Sequence, residues 1–285
     1  MSDAKQRKGS NLGSVLYALA NKECLALEQA LRSRKARQDG IHDARRAGRR
    51  LRNLLTLVPA MAGRRTASLD KRLKLLGDSF ASLRDAHMAA HTARLLATTH
   101  QAALTPSIID ALEDHAKAML KQALKKDPHW RERRAKAHRI VIAVARLPWQ
   151  NISPYDVARA LKRHVRRVKK AKKKALADRT APAYHRWRRR ARMLRYQLEW
   201  ARKVRGAMGI KNTRAKRYDD QLKDLKLTVD QLGWRQDFAV FRNAVDQLPA
   251  STDAVALRDS LRQKASSLSK CCLDFGANSA DWHRT

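Results

Sequence analysis

Two histidine-led runs of arginine carry the chemistry of this sequence. The first comprises His42, Arg45, Arg46, Arg49 and Arg52, and the second His185, Arg188, Arg189, Arg192 and Arg195. On a helix turning about 100° per residue, His42, Arg45, Arg46 and Arg49 share one face, with Arg52 at its edge. Ala44, Leu51, Leu54, Leu55 and Val58 take the opposite face, which must pack inward. In the second run Trp187, Ala191, Leu194 and Leu198 form the apolar side. Like charges at i, i+3, i+4 and i+7 destabilise an isolated helix by a few tenths of a kcal/mol per pair, as an order of magnitude. A guanidinium offers phosphate two parallel charge-assisted hydrogen bonds. A chain that repeats this unfavourable pattern at matching positions reads as one that holds an anion there, the plain alternative being a solvated basic face.

The two histidines leave several roles open: metal ligand, general base, core or capping residue, or phosphate hydrogen-bond donor. Each stands among arginines, which repel a cation, so the pattern favours the phosphate donor over metal. In that role a bound polyanion raises the proton affinity of the imidazoles, and acid strengthens binding.

The elements that must position these residues are helices related by an internal repeat. IHDARRAGRRLRNLL at 41–55 aligns with YHRWRRRARMLRYQL at 184–198, and LKLLGDSFASLRDAHMA at 73–89 with LKLTVDQLGWRQDFAV at 225–240. The second alignment sets Lys74 opposite Lys226 and Asp85 opposite Asp237. Apolar residues recur at three- and four-residue spacing, and only 10 Gly and 7 Pro interrupt them, so the class expected is all-α. Helices are predicted over 12–37, 41–58, 67–98, 106–125, 129–146, 154–178, 182–205, 213–248 and 253–274, with breaks at Asp39-Gly40, Pro59 and several first-turn prolines. Two homologous halves, 1–150 and 151–285, are expected to meet near PWQNISP.

Charge narrows the partner. Lys and Arg number 63 against 26 Asp and Glu, a formal net charge of +37, and a folded chain so charged wants an abundant anion: nucleic acid, polyphosphate or an anionic membrane. Aromatic residues are 5% and do not alternate with basic ones, which disfavours base stacking and leaves phosphate recognition. A further basic run, RALKRHVRRVKKAKKKAL at 159–176, keeps apolar residues at helical spacing and reads as a packed helix with a cationic exterior. That exterior is either a second ligand surface or merely solvated, and RERRAKAHR at 131–139 is a weaker case. Three cysteines without CxxC spacing argue against disulfides and zinc-thiolate sites and agree with a reducing cytosol. The polar, basic N-terminus and the lack of long apolar runs predict neither secretion nor a membrane span.

IHDARRAGRRLR with LRDAHMA, and YHRWRRRARMLRYQLEW with LKLTVDQLGWRQD, resemble the two halves of a CHAD domain, the conserved-histidine α-helical domain, and the resemblance covers nearly the whole chain. It implies two pseudo-symmetric four-helix bundles enclosing a basic central channel that binds inorganic polyphosphate, in a cytoplasmic protein associated with polyphosphate granules. Carried over by position, the ligand contacts are His42, Arg45, Arg49, Arg52, Lys74, His185, Arg188, Arg192, Arg195 and Lys226. Arg46 and Arg189 join them on helical geometry alone. Asp85 and Asp237 match the family pattern too, but an acid cannot attract a polyanion, so they are assigned to orienting basic side chains. Where the family usually has glycine four residues before the first Asp, this chain has Ala81, whereas the second half keeps Gly233. The Glu-x-Glu-x-Lys mark of the triphosphate-tunnel enzyme that often precedes such domains is absent.

Three functions compete at this point. The first is a non-catalytic module that grips polyphosphate, without cofactor or metal. The second is a nucleic-acid-binding protein acting through its basic surface. The third, a phosphotransferase, is disfavoured because no acidic cluster, P-loop or Gly-rich phosphate turn accompanies the basic helices.

Overall fold

Helix starts follow local chemistry where prolines and small polar residues precede apolar periodicity. Ser153 accepts a hydrogen bond from the Asp156 amide at 3.1 Å and so caps the helix that begins at Pro154, while Thr105 and Thr180 stand in extended conformation ahead of two further first-turn prolines. The structure is a computed structural model that describes residues 11–32, 37–57, 63–98, 104–210, 215–249 and 253–262. In chain order the helices are α1 (Leu12–Arg32), α2 (Arg37–Leu55), α3 (Gly63–Asp78), α4 (Ala81–Thr98), α5 (Pro106–Lys126), α6 (Arg131–Ala145), α7 (Pro154–Asp178), α8 (Ala181–Ala207) and α9 (Ala215–Asp246). Helical residues 253–262 form α10. No strand occurs among the described residues, so the all-α class is as expected.

Three differences from the sequence reading have physical causes. Asp39-Gly40, read as a break, lies inside α2. Gly40 is there because a Cβ at that position would come within 2.7 Å of the Ala30 carbonyl oxygen, so α1 and α2 approach each other closely at this point. The single helix predicted over 67–98 is broken at Ser79-Phe80 into α3 and α4. Arg133 donates to the Ser79 carbonyl at 3.0 Å and to its hydroxyl at 3.2 Å, which satisfies the interrupted backbone, and its guanidinium lies over the rings of both Phe80 and Trp130, at 4.9 and 4.8 Å. Finally, α6 starts at Arg131 rather than 129: His129 and Trp130 adopt left-handed φ of 52° and 56°, and Asp127 caps α6 by accepting from the Glu132 amide at 2.8 Å. The part of the prediction over 263–274 lies outside the described residues.

The apolar faces meet in three cores. The first joins α1, α2, α3 and α6, and takes in Tyr196, Trp200 and Val204 from the far end of α8. The second joins α7, α8 and the beginning of α9. The third combines α4 and α5 with the end of α9 and with Leu257 and Leu261 of α10. The third helix of each repeat, α3–α4 and α9, therefore leaves its own group and enters a shared core. Between these cores α2 and α8, the two arginine helices, come face to face, and α4 packs against α9.

Candidate functional site

Where α2 and α8 meet, with α3 and α9 at their sides, a cavity of about 210 Å³ opens. Its basic lining is Arg45, Arg49, Arg52 and Lys74 from the first half and His185, Arg188 and Arg192 from the second, together with Arg84 of α4. A smaller cavity of about 100 Å³ shares Arg49, Arg52 and Arg192 and adds Arg189 and Arg190. The two cavities adjoin at these shared arginines along the α2–α8 seam and are together called the passage.

The arginines are placed in repeat-related pairs, and their environments differ in a graded way. Arg45 donates to the Gly77 carbonyl. Its counterpart Arg188 lies against Gly233, where a Cβ would stand 3.0 Å from Arg188 Nη2. Glycine at 233 thus makes room for a guanidinium. The first half has Ala81 in the corresponding position, and there the arginine reaches a carbonyl instead. Burial, more than any neighbouring charge, lowers the proton affinity of both Arg45 and Arg188. Deeper in, burial brings Arg49 down to about 10 and Arg192 to about 9, and adjacent arginines push in the same direction. Among the described residues neither Arg49 nor Arg192 has a carboxylate partner, and Arg45, Arg49 and Arg188 each hold a buried Nε without a hydrogen bond. Arginine stays protonated at neutral pH, so the passage stores concentrated, under-compensated positive charge.

The acids of the repeat do what was assigned to them. Arg84 bridges Asp85 at 3.0 Å and Asp237 at 2.9 Å, which clips the two halves together beside the cavity. Its counterpart in the second repeat is Gln236, whose Oε1 hydrogen-bonds His185 Nδ1 at 2.8 Å. That contact leaves Nε2 as the outward nitrogen of His185. Donation to a phosphate through Nε2 while Nδ1 serves Gln236 requires the doubly protonated ring.

The remaining candidates are not all brought to the passage. His42 is exposed and lines neither cavity; burial of its ring, then the nearby Arg49, lowers its proton affinity. Arg46 lies about 100° round α2 from Arg45 and faces a separate cavity between α1 and α2, beside Lys22, Asp43 and Arg50. Arg52 lines the passage but donates from Nε and Nη2 to the two carboxylate oxygens of Asp70, at 2.8 and 3.0 Å. Arg195 pairs with Glu199 at 3.5 Å and lies over the Tyr196 ring. Lys226 is exposed on α9 and lines neither cavity. The sequence reading missed Arg84, Arg190 and Gln236. Arg84 stands immediately before Asp85 in LRDAHMA, but its partner position holds glutamine, so comparing the repeats hid it.

Among the described residues no group of three or more His, Cys, Asp or Glu side chains converges as a metal site, and no helix is long and apolar enough to cross a membrane. Fold and site together define a duplicated, all-helical protein built around a basic interior passage. The family model of the CHAD domain matches residues 18–246, and the chain belongs to that family. Among solved structures it is similar to the crystal structure of the CHAD domain from the plant Ricinus communis, with a TM-score of 0.65 and 19% identity, covering 95% of this chain and 91% of that one. At that identity the likeness speaks for the fold. No curated protein matches the chain.

Proposed function

We propose that this protein is a non-catalytic binder of inorganic polyphosphate, gripping the chain in the passage between its repeats and associating through it with polyphosphate granules. Membership of the CHAD family, whose general association is with polyphosphate, supports the ligand. The observation that carries the reading is the set of paired arginines, Arg45 with Arg188 and Arg49 with Arg192, lining one cavity with too few counter-charges. A linear polyanion supplies those charges along a line. Of the carboxylates at and beside the two cavities, Asp85 and Asp237 are occupied by Arg84 and Asp70 by Arg52, and Asp78 is the single acid in the larger lining; so few acids favour holding over phosphoryl transfer.

Nucleic acid is the rival ligand, and the aromatic residues near the seam speak against it. Tyr196 and Trp200 are buried and lie under Arg50, at 5.3 and 4.7 Å, while buried Tyr184 lies under Arg235 at 4.1 Å. None offers a free face on which a base can stack. The deciding experiment is competition at near-physiological salt: long-chain polyphosphate should displace single-stranded DNA at equal phosphate concentration. Arg45→Glu with Arg188→Glu should abolish polyphosphate binding while circular dichroism stays unchanged. Equal affinity for both polymers, or normal binding by the double variant, refutes the assignment.

A further inference from the structure

At its smaller cavity the passage comes close to α7. Arg190, on the wall of the smaller cavity, belongs to α8, which packs along the length of α7. Arg167 is close enough to lower the proton affinity of Arg190, second only to burial. Both also act on His164, a buried α7 residue hydrogen-bonded to the backbone of Thr56, and Thr56 lines the same cavity. The arginines of α7 therefore adjoin the mouth of the passage.

From there α7 presents a continuous cationic track. At 100° per residue Arg159, Arg163, Arg166, Arg167, Lys170 and Lys174 fall within about 100° of arc, and all are exposed. The adjoining side of the helix, Ala160, His164, Val168, Ala171 and Ala175, is buried, so the track is fixed to the fold. From 159 to 174 it runs roughly 22 Å. Among the described residues the track makes one ion pair, Lys174 with Asp178 at 3.5 Å. The track itself carries no aromatic residue.

We infer that the binding site continues out of the passage along this face of α7, so that passage and helix together hold a long polyphosphate chain while a short one occupies the passage alone. The inference rests on the proposed function above and deepens it, making chain length a property that the protein reads. Length discrimination follows because each further phosphate that reaches an α7 cation releases counterions, which a short oligomer cannot do.

The test compares tripolyphosphate with long-chain polyphosphate by isothermal titration over a series of salt concentrations. The variant carries Arg163→Gln, Arg166→Gln and Lys170→Gln, all at exposed positions, with circular dichroism as the fold control. For the long chain, affinity at low salt should fall about tenfold or more and the salt slope by about 2–3, near one per cation removed. Tripolyphosphate binding should not change. A passage variant, Arg49→Gln with Arg192→Gln, should lose both ligands; if it loses neither, the proposed function fails, whatever α7 does. An unchanged long-chain affinity and slope in the α7 variant overturns the inference, as does an equal loss for both chain lengths. A single-stranded DNA arm completes the set: loss of DNA binding with long-chain polyphosphate retained would make α7 a nucleic-acid surface and overturn it too.

Discussion

Replacing Arg192 by methionine should make the unliganded protein more stable and less responsive to its ligand. A guanidinium held at about 9 instead of its ordinary 12.5 carries, at about 1.4 kcal/mol per pH unit, a penalty on the order of 5 kcal/mol in its charged form. Solvent and counter-ions that reach the cavity screen part of this, and the aliphatic stem of the arginine contributes packing that methionine keeps. A net gain of about 2 kcal/mol remains, in line with exchanges of buried charge for apolar side chains. In a chain of this size that is about 4 °C in Tm, readable by urea or thermal denaturation at pH 7. Polyphosphate at a hundredfold excess over Kd stabilises the wild type by about 2.7 kcal/mol, and a tenfold weaker site gains only about 1.4 at the same concentration. The two proteins should therefore differ in opposite senses, Arg192→Met being more stable without ligand and less stabilised by it. A variant that is less stable without polyphosphate refutes the view of Arg192 as stored charge, and an equal response to polyphosphate refutes its place in the site.

Three other outcomes follow from particular contacts. Gly233→Ala sets a methyl 3.0 Å from Arg188 Nη2; the helix should gain up to about 1 kcal/mol in urea denaturation, while displacement of that guanidinium weakens polyphosphate binding several-fold in titration. His164 is held at about 4, by burial and then by Arg167, against an ordinary 6.5. Between those values the unfolded chain takes up a proton that the folded chain refuses, so stability should be flat above pH 6.5, fall by on the order of 3 kcal/mol down to pH 4, and level off below for this group; denaturation curves of His164→Gln should show a shallower fall. Because His185 lines the cavity and is held in place by Gln236 at 2.8 Å, His185→Ala should weaken polyphosphate binding several-fold in titration while much of the affinity remains.

The all-helical class, the repeat and the two arginine helices were legible because each rests on local spacing: apolar residues every three or four positions, and His42-to-Leu55 matching His185-to-Leu198 side by side. The orienting role of Asp85 and Asp237 was legible from charge alone. What escaped were features that depend on a neighbour distant in sequence. Gly40 looks like a turn until α1 lies 2.7 Å from where its Cβ would be. The break at Ser79-Phe80 exists because Arg133, from another helix, takes over the backbone carbonyl. Arg46 shares an arc with Arg45 on an isolated helical wheel, yet only packing decides which part of a wide arc faces α8 and which faces α1. Arg84 was invisible to a comparison of halves because its counterpart differs in type.

That mismatch between Arg84 and Gln236 leaves one arginine to clip both acids, Asp85 and Asp237, and frees the glutamine to hold His185. Elsewhere Arg45 with Arg188 and Arg49 with Arg192 line the cavity in matching pairs, whereas Arg52, Lys74 and His185 line it without their counterparts Arg195, Lys226 and His42. A phosphate polymer reads the same from either end. Gripped in so uneven a lining it would still enter in two equivalent senses, a statistical advantage of about 0.4 kcal/mol, and need not be turned before it seats. A nucleic acid strand has a direction, so its two senses would meet this lining differently.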